Sequence, residues 1–340
     1  MATRRLPVYL LLDCSESMAG KPLENVETGV QTLLAALQRD PHALESVYLS
    51  IITFDAKARV AVPLEDLSQI RAPKLSIRPG TAMGAALKLV QESISRDVRR
   101  ASPTQKGDFR PLIFILTDGQ PTDEWEAAAR DLKNMKHHPA NVYAIGCGEE
   151  VDFSTMLQIA DVSVHLKSMS TESLAGLFLW LSASVQSQSV ALVPDGPLSL
   201  EKSPLKKGME LIGPSNVPQF QHDSVLYFHV RCRDALGHYL MRYRFVPETR
   251  FYEALDATPL PEDFFSDGAM KSPPVDASKL YGAPKCPFCQ SQGWGKCGFC
   301  GHLFCLDHDR PARSLTCPHC QTSLTIDDDG ASFTVDGSQG

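Results

Sequence analysis

The sequence predicts an α/β fold, in which a doubly wound, mainly parallel sheet is followed by a small β-rich connector and a two-zinc Cys/His module. Continuous apolar runs are typical of strands buried on both faces of a parallel sheet, and they occur at residues 6–12, 47–54, 112–116 and 142–145. Amphipathic stretches predict helices at 23–38, 83–96, 123–136, 153–160 and 171–187. Alternating strands and helices favour a sheet covered on both faces, with ligands bound beyond the carboxyl ends of its strands.

Proline spacing and composition divide the 340 residues into four segments. We expect the α/β domain to occupy residues 1–190. A β-rich connector and linker follow at 191–283, where two strand-like runs flank a turn at 234–237 in the pattern of a hairpin. The cysteine-rich module occupies 284–326, and residues 327–340 are expected to form a flexible tail.

Composition restricts the class of protein. The net charge is -7, which disfavours a general nucleic-acid binder. The apolar stretch at 174–185 is much shorter than the ~20 residues that a membrane helix requires. Seven of the ten cysteines fall between Cys286 and Cys320, mostly at x2 spacing, which indicates metal ligands in a reducing compartment rather than disulfides. We therefore expect a cytoplasmic protein without nucleic-acid or membrane partners.

Oxygen-bearing side chains follow two of the predicted strands. Asp13, Ser15 and Ser17 come directly after the first strand, and Asp118 follows the strand at 112–116. Thr81 lies in a loop that leads into a helix. Two carboxylates with three neutral hydroxyls make a hard ligand set, which suits Mg²⁺ (or Mn²⁺ or Ca²⁺).

The neighbours of these ligands are expected to point away from the cation. Cys14 is then a small buried apolar residue rather than a nucleophile, and Glu16 is a solvated side chain that adds negative potential.

These three segments resemble the metal-ion-dependent adhesion site (MIDAS) of the von Willebrand A family. Its pattern is Asp-x-Ser-x-Ser, then a distant Thr and a distant Asp, and the resemblance covers roughly residues 6–187. It assigns the ligand roles to Asp13, Ser15, Ser17, Thr81 and Asp118. A cation bound there keeps open coordination positions, so an acidic side chain of a partner protein can complete its shell. An aspartyl-phosphate enzyme is disfavoured, because Ser15 stands where such enzymes carry a second carboxylate.

The C-terminal module contains four ligand pairs at x2 spacing, which supply eight ligands for two closed tetrahedral zinc sites. The pairs are Cys286 with Cys289, Cys297 with Cys300, Cys305 with His308, and Cys317 with Cys320. His302 is an alternative to His308, which is favoured because it repeats the x2 spacing. A closed ligand set indicates structural rather than catalytic zinc.

The middle of this module resembles cross-braced zinc folds such as RING and FYVE domains. That resemblance implies one site made of Cys286, Cys289, Cys305 and His308, and a second made of Cys297, Cys300, Cys317 and Cys320. A tandem zinc-ribbon pairing is the alternative, which the spacing does not exclude.

The order of the domains resembles that of TerY-like proteins of bacterial tellurium-resistance systems. The resemblance implies a non-catalytic adaptor in a tellurite or stress response, associated with a protein kinase and a phosphatase. The alternative is a RING-like ubiquitin-ligase-type or other metal-dependent enzyme, although similarity of fold does not transfer activity.

Overall fold

The computed structural model describes residues 4–135, 139–148, 151–190, 208–217, 225–261, 264, 274–306, 314–325 and 333–336. The chain divides into two compact units, which are Met1–Leu75 with Thr81–Gln221, and Ser76–Gly80 with His222–Gly340. Among the described residues, no helix is both long and apolar enough to cross a bilayer.

The first unit contains seven strands and six α-helices among its described residues. The strands are β1 (Leu6–Asp13), β2 (Val47–Phe54), β3 (Ala58–Asp66), β4 (Leu112–Thr117), β5 (Asn141–Cys147), β6 (Val162–Leu166) and β7 (Met209–Ile212). The helices are α1 (Lys21–Arg39), α2 (Pro41–Ser46), α3 (Met83–Asp97), α4 (Glu126–Lys133), α5 (Phe153–Ile159) and α6 (Thr171–Val190).

The seven strands form one sheet in the order β3-β2-β1-β4-β5-β6-β7. The five inner strands run parallel, whereas the edge strands β3 and β7 are antiparallel to their neighbours. This confirms the predicted mainly parallel sheet. From β1, the chain first adds strands on one side of the sheet (β2 and β3) and then on the other (β4 to β7). The crevice between β1 and β4 is therefore the topological switch point, where ligands of such sheets bind.

Helices cover both faces of the sheet. On one face, α3, α4 and α5 bury a core that includes Tyr9 and Leu11 of β1. On the other side, α1 packs against α6, where a Cβ placed on Gly29 would lie 2.1 Å from the Phe178 ring. Only glycine therefore allows this close approach of α1 to Phe178.

The first unit extends beyond the predicted boundary at residue 190. Strand β7 pairs antiparallel with β6, in the register Ser163↔Ile212 to Leu166↔Met209. The run Met209–Ile212, which we expected in the connector, therefore completes the sheet of the α/β domain. Its edge position explains why it lacks the continuous apolar pattern of the inner strands.

The described part of the second unit contains ten strands. They are β8 (Val225–Arg231), β9 (His238–Val246), β10 (Phe251–Pro259), β11 (Val275–Asp276), β12 (Leu280–Tyr281), β13 (Trp294–Lys296), β14 (Leu303–Cys305), β15 (Ser314–Thr316), β16 (Ser323–Thr325) and β17 (Thr334–Val335). Six of them form a sheet in the order β12-β10-β9-β8-β14-β13. The predicted hairpin is present, since β8 and β9 pair antiparallel from Val225↔Arg244 to Arg231↔His238.

The predicted boundary at residue 283/284 does not separate two structural units. Strand β14 from the cysteine-rich module pairs in parallel with β8 from the expected connector, in the register Leu303↔Val230 and Phe304↔Arg231. The two segments also share one hydrophobic core, in which Phe228 and Leu303 are both buried. A cysteine-rich segment with few large apolar residues gains its core from the sheet against which it packs.

Part of the expected flexible tail is ordered into a strand. Thr334 and Val335 form β17, which pairs antiparallel with β11. The side chain of Val335 is only 1% exposed and belongs to the core of the second unit. Residues 327–332 and 337–340 lie outside the described residues.

Candidate metal centres

The oxygen-rich centre begins at the carboxyl end of β1. The register Leu12↔Leu116 between β1 and β4 places Asp13 beside Thr117. Asp13 is fully buried, and its carboxylate accepts hydrogen bonds from the Ser15 amide at 2.9 Å and from the Thr117 hydroxyl at 2.5 Å. Both bonds fix the carboxylate at the switch point.

A chain of hydrogen bonds connects the first loop to the loop after β4. The hydroxyl oxygens of Ser15 and Ser17 are 2.8 Å apart, and the Ser17 hydroxyl donates to the Asp118 carboxylate at 2.6 Å. Two of the predicted segments, 101 residues apart in sequence, therefore meet at one end of the sheet.

Thr81 completes the predicted set from a third loop. Its hydroxyl oxygen is buried and has no hydrogen-bond partner among the described residues. A buried hydroxyl without a partner is unfavourable by about 1–3 kcal/mol, unless something in solution supplies its missing interaction. Together with the hard oxygen donors of the other two loops, this unsatisfied hydroxyl fits a site for a divalent cation.

Residues that the sequence analysis missed hold the Thr81 loop against the loop after β4. The Thr81 amide donates to the Thr122 hydroxyl at 2.9 Å, and the Thr122 amide donates to the Thr81 carbonyl at 3.0 Å. The Asp123 carboxylate then accepts from the amides of Gly84 and Ala85, the first turn of α3. Asp123 thus caps a helix to which it does not belong.

Gly84 permits this contact. A Cβ at Gly84 would lie 2.4 Å from the Glu124 carbonyl oxygen, which belongs to the backbone and has little freedom to move. The sequence signal for this arrangement is Thr122-Asp123, two good capping residues that precede α4 without capping it.

Asp55, which follows β2, supports the Thr81 loop through its backbone. The Asp55 carbonyl accepts from the Ala82 amide at 2.7 Å, while the Asp55 carboxylate pairs with Arg59 at 2.5 Å. Asp55 is only 2% exposed, so its charge depends on this arginine for compensation. No motif marks Asp55 in the sequence.

The environment of Asp13 is unfavourable for an uncompensated charge. Burial raises the pKa of Asp13 to about 6, although hydrogen bonds from Thr117 and Ser15 act in the opposite direction, and the charge of Glu16 raises it further. A cation would offset this cost, because a nearby positive charge favours the ionised carboxylate.

Both sequence neighbours of the ligands are buried. Cys14 is 1% exposed, as we expected. The expectation of a solvated Glu16 is wrong, because its side chain is only 2% exposed. Residues Glu16–Met18 form a 3-10 turn, so side chains there do not alternate as they would in extended backbone.

Two groups of four cysteines form the soft-ligand centres of the second unit. Within each group, all the sulfur atoms lie within 4.8 Å of one another, and the groups are Cys232, Cys286, Cys289 and Cys305, and Cys297, Cys300, Cys317 and Cys320. The sulfur atoms of Cys289 and Cys305 are 3.6 Å apart, and those of Cys297 and Cys320 are 3.8 Å apart. Zn–S bonds of about 2.3 Å in tetrahedral geometry require sulfur atoms roughly 3.8 Å apart, so both groups fit zinc.

The second group matches the predicted site of Cys297, Cys300, Cys317 and Cys320. The pairs alternate between the groups along the chain, as in the cross-braced arrangement. A tandem ribbon is wrong for this chain, because it would pair Cys286 with Cys297, which lie in different groups.

The first group differs from the prediction in its fourth member, which is Cys232 rather than His308. Cys232 directly follows β8, and the pairing of β8 with β14 brings it beside Cys305. His308 lies outside the described residues. Four thiols make a complete tetrahedral set, so the described residues offer eight cysteines as ligands for two ions. The alternative ligand His302 is exposed, and its ring lies near the Cys300 carbonyl instead.

Three of the cysteine pairs lie in separate turns that share one type of geometry. In the turn that begins at Cys297, the Cys297 amide donates to the His302 carbonyl, and Gly301 has a φ of 76° and donates to the Cys297 carbonyl. The turns that begin at Cys286 and Cys317 have the same two bonds, with Gln290 (φ 64°) and Gln321 (φ 61°) at the left-handed position.

Cys232 begins an incomplete version of this turn. Its amide donates to the Gly237 carbonyl at 2.7 Å, and Leu236 has a φ of 57° at the left-handed position. Ala235 occupies the place of the second cysteine. The x2 spacing that reveals the other turns is therefore absent here, so no pattern in the sequence marks Cys232 as a ligand.

Each group contains one thiol whose pKa is lowered. Burial acts to raise the pKa of Cys289, but hydrogen bonds from Ser291 outweigh it and lower the pKa to about 7. Hydrogen bonds from Thr322 lower the pKa of Cys320 to about 6. Burial raises the pKa of Cys286 to about 11. Because the thiolate is the form that binds metal, these lowered pKa values favour metal binding by Cys289 and Cys320.

Two family models match this sequence. The first, described as von Willebrand factor type A domain, matches residues 8–178, and the second, described as TerY-C metal binding domain, matches residues 223–340. The second match includes all eight clustered cysteines.

Curated proteins and solved structures resemble parts of the chain. An uncharacterized protein from Synechocystis sp. is 34% identical over 125 residues, which cover 34% of this chain and 26% of that protein, so the chain spans about a quarter of its length. A von Willebrand factor type A structure from Catenulispora acidiphila is 19% identical, with a TM-score of 0.42, and the match covers 54% of this chain and 43% of that one. Proximal thread matrix protein 1 from the mussel byssus, with a zinc-occupied MIDAS motif, is 17% identical, with a TM-score of 0.40 and coverages of 54% and 48%.

Proposed function

Because the chain belongs to the von Willebrand factor type A domain family and also carries a TerY-C metal binding domain, we propose that it is a non-catalytic adaptor that binds a partner protein through a divalent cation. The ligands of that cation are Asp13, Ser15, Ser17, Thr81 and Asp118. The cation would supply an electrophilic centre that an acidic side chain of the partner can coordinate.

The buried Thr81 hydroxyl is the observation that carries this proposal. It is the one predicted ligand whose oxygen has no hydrogen-bond partner among the described residues. The other ligands are held ready by bonds to one another, as between Ser17 and Asp118. Four ligands are held in place by hydrogen bonds, while the Thr81 hydroxyl has no hydrogen-bond partner among the described residues. This combination supports a preformed cation site rather than a cluster that only stabilises the fold.

The residues of the site have separate roles. Asp13 and Asp118 compensate the charge of the cation, while Ser15 and Ser17 offer neutral oxygens that leave part of this charge uncompensated. Mg²⁺, Mn²⁺ and Ca²⁺ all accept such hard donors, and Mg²⁺ is favoured because it keeps waters in the positions that the protein leaves open.

The cysteine groups have a structural role in this proposal. Two closed four-thiol sets would hold two Zn²⁺ ions and supply folding free energy to a unit with a small apolar core. The wider setting that we propose is cytoplasmic, in a bacterial tellurite or stress response, with a protein kinase and a phosphatase among the partners. That setting depends on the resemblance to TerY-like proteins.

A pull-down from the native host tests the adaptor function. The full chain is used as bait in buffer with Mg²⁺ and in buffer depleted of Mg²⁺, together with Asp13→Ala. We expect partners to be recovered only by the wild type in Mg²⁺, because Asp13 lies at the centre of the cation site. Equal recovery by the wild type in both buffers and by Asp13→Ala would refute metal-dependent docking.

Two controls make this result specific. Asp131→Ala changes an exposed carboxylate on α4 and should behave as the wild type. Zinc content is measured in every sample, because a chelator that also removes zinc from the cysteine groups would unfold the second unit. Only samples that retain their zinc are compared.

A further inference from the structure

Four histidines of the second unit form a continuous row. The rings of His229 and His238 stack with their centroids 5.0 Å apart, and His238 contacts His319 edge-on at 5.9 Å. His319 in turn stacks on His302 at 4.1 Å. None of these side chains belongs to the two cysteine groups, so the row is a separate feature of this unit.

His229 and His238 approach through their ring nitrogens. They lie on the paired strands β8 and β9, where His238 is opposite Arg231, two residues from His229, so both side chains are on the same face of the sheet. Nε2 of His229 is 3.1 Å from Nδ1 of His238. The pairing of the strands fixes the backbone positions of both residues, so the two rings stay close to each other.

The distance between Nε2 of His229 and Nδ1 of His238 is suitable for chelation of a metal ion. With metal–nitrogen bonds of about 2.0–2.1 Å, two nitrogens are roughly 2.9 Å apart at a right angle and roughly 3.4 Å apart at a tetrahedral angle. The observed 3.1 Å lies between these values. A metal ion could therefore be bound by both nitrogens after a small rotation of either ring.

The protonation state of the pair also favours metal binding. Burial, reinforced by the neighbouring His238, lowers the pKa of His229 to about 3. Burial and the charge of Arg231 lower the pKa of His238. Both imidazoles are consequently neutral at physiological pH, which is the form that coordinates metals.

We propose that His229 and His238 form a third metal site, which binds a borderline transition-metal ion such as Zn²⁺ or Ni²⁺. Imidazole nitrogen suits these ions better than it suits Mg²⁺ or Ca²⁺. With two protein ligands in place, the site retains open positions for water or for a further imidazole such as that of His319. It differs in this respect from the closed four-thiol groups, and it is independent of the proposed adaptor function.

The simpler interpretation is a neutral pair that shares one N–H···N hydrogen bond. The edge of the Phe264 ring packs on His229 at 5.1 Å, which is consistent with such a structural role. The two interpretations make opposite predictions about metal uptake, because a purely structural pair takes up no ion.

The test uses the full chain loaded with zinc. NiCl₂ is added, weakly held ions are removed by desalting, and nickel and zinc are counted in the same sample by elemental mass spectrometry, with affinity from calorimetry. We expect one nickel ion per chain with no loss of zinc. His238→Gln should bind nickel at least about tenfold more weakly. Removing a residue that only hydrogen-bonds to a metal ligand typically lowers metal affinity at least tenfold, and His238 would be a ligand itself.

The matched control is His42→Gln, which removes an exposed histidine of α2 in the other unit and should bind nickel as the wild type does. Absence of nickel from the wild type, nickel uptake matched by zinc loss, or unchanged affinity in His238→Gln would each overturn the proposal.

A measurement on the wild type alone avoids dependence on the folding of a variant. Modification by diethyl pyrocarbonate is followed by peptide mass spectrometry with and without NiCl₂. We expect nickel to slow the modification of His238 but not that of His42. Equal rates at His238 in the two conditions would also overturn the third site.

Discussion

Thr81 and Thr122 are joined by two hydrogen bonds that run in opposite directions, 2.9 Å from the Thr81 amide to the Thr122 hydroxyl and 3.0 Å from the Thr122 amide to the Thr81 carbonyl. One of these residues is a candidate metal ligand, whereas the other only positions it. The pair explains how a loop from the middle of the domain keeps its hydroxyl at the switch point between β1 and β4.

Replacing Thr122 with valine tests this positioning. Thr122→Val keeps the shape of the side chain but leaves the Thr81 amide without an acceptor. We expect the free energy of unfolding to fall by about 1–3 kcal/mol, the usual cost of an unsatisfied buried donor, and Mg²⁺ to bind more weakly. Urea unfolding and calorimetry measure the two effects. Thr104→Val, at an exposed position, should change neither. Wild-type behaviour of Thr122→Val would show that the pair does not position Thr81.

Zinc stoichiometry tests the ligand role of Cys232. Cys232→Ser leaves three thiols in the first group, so we expect native mass spectrometry to show about one zinc per chain instead of about two. Cys147→Ala removes a buried cysteine of the other unit and should retain two. His308→Ala should also retain two. The reverse pattern, with zinc lost from His308→Ala and retained in Cys232→Ser, would restore the histidine as the fourth ligand.

The contact between Gly29 and Phe178 predicts that alanine substitutions at two adjacent positions of α1 change the free energy of unfolding very differently. In Gly29→Ala, the added methyl group would overlap the Phe178 ring, whose nearest atom is 2.1 Å from the ideal Cβ position. We expect a loss of about 1–3 kcal/mol in the free energy of unfolding, as is typical of overpacking. Thr28→Ala, one residue earlier on the exposed side, should be within about 0.5 kcal/mol of the wild type. Equal stability of the two variants would contradict the observed packing.

Binding of Mg²⁺ should stabilise the first unit. A ligand that binds only the folded state at 100 times its dissociation constant adds about 2.7 kcal/mol to the free energy of unfolding. We expect Mg²⁺ to raise the melting temperature of the wild type and of Asp131→Asn, an exposed change. Asp13→Asn should show no such rise, because it loses the central carboxylate. Differential scanning calorimetry measures the shift, and an equal rise in Asp13→Asn would remove Asp13 from the site.

Much of the α/β domain could be predicted because its strands are buried on both faces. The apolar run at 6–12 and the polar cluster from Asp13 onward mark both a strand and its carboxyl end. The predicted helices at 83–96 and 171–187 match α3 and α6 closely. Helix α3 has the apolar face that its periodicity predicts, whereas α6 is apolar on most of its sides and buries residues such as Leu174, Phe178 and Leu181. By contrast, β3, β6 and β7 were missed. Strands β3 and β7 lie at the edges of the sheet, where partial exposure gives a composition like that of loops. Strand β6 has only five residues, and Ser163 and His165 interrupt its apolar pattern.

Supporting residues of the oxygen site could not be found in this way. Asp123 looks like the N-cap of the helix that follows it, but its carboxylate caps α3 instead. Asp55 resembles an ordinary turn residue. Their roles depend on which loops meet in space, and local sequence carries no information about that contact.

The sequence by itself determined the chemistry of this protein: hard oxygen donors at the ends of buried strands, soft donors in repeated pairs, and apolar periodicity sufficient for a parallel sheet. These are local properties, because a side chain's donor type and the period of burial are set within a few residues. Tertiary structure alone decided the membership of each site. Cys232 lies 54 residues before Cys286 and belongs to no pair, yet it joins the first thiol group because β8 pairs with β14, and pairing between distant strands is a property of the whole fold.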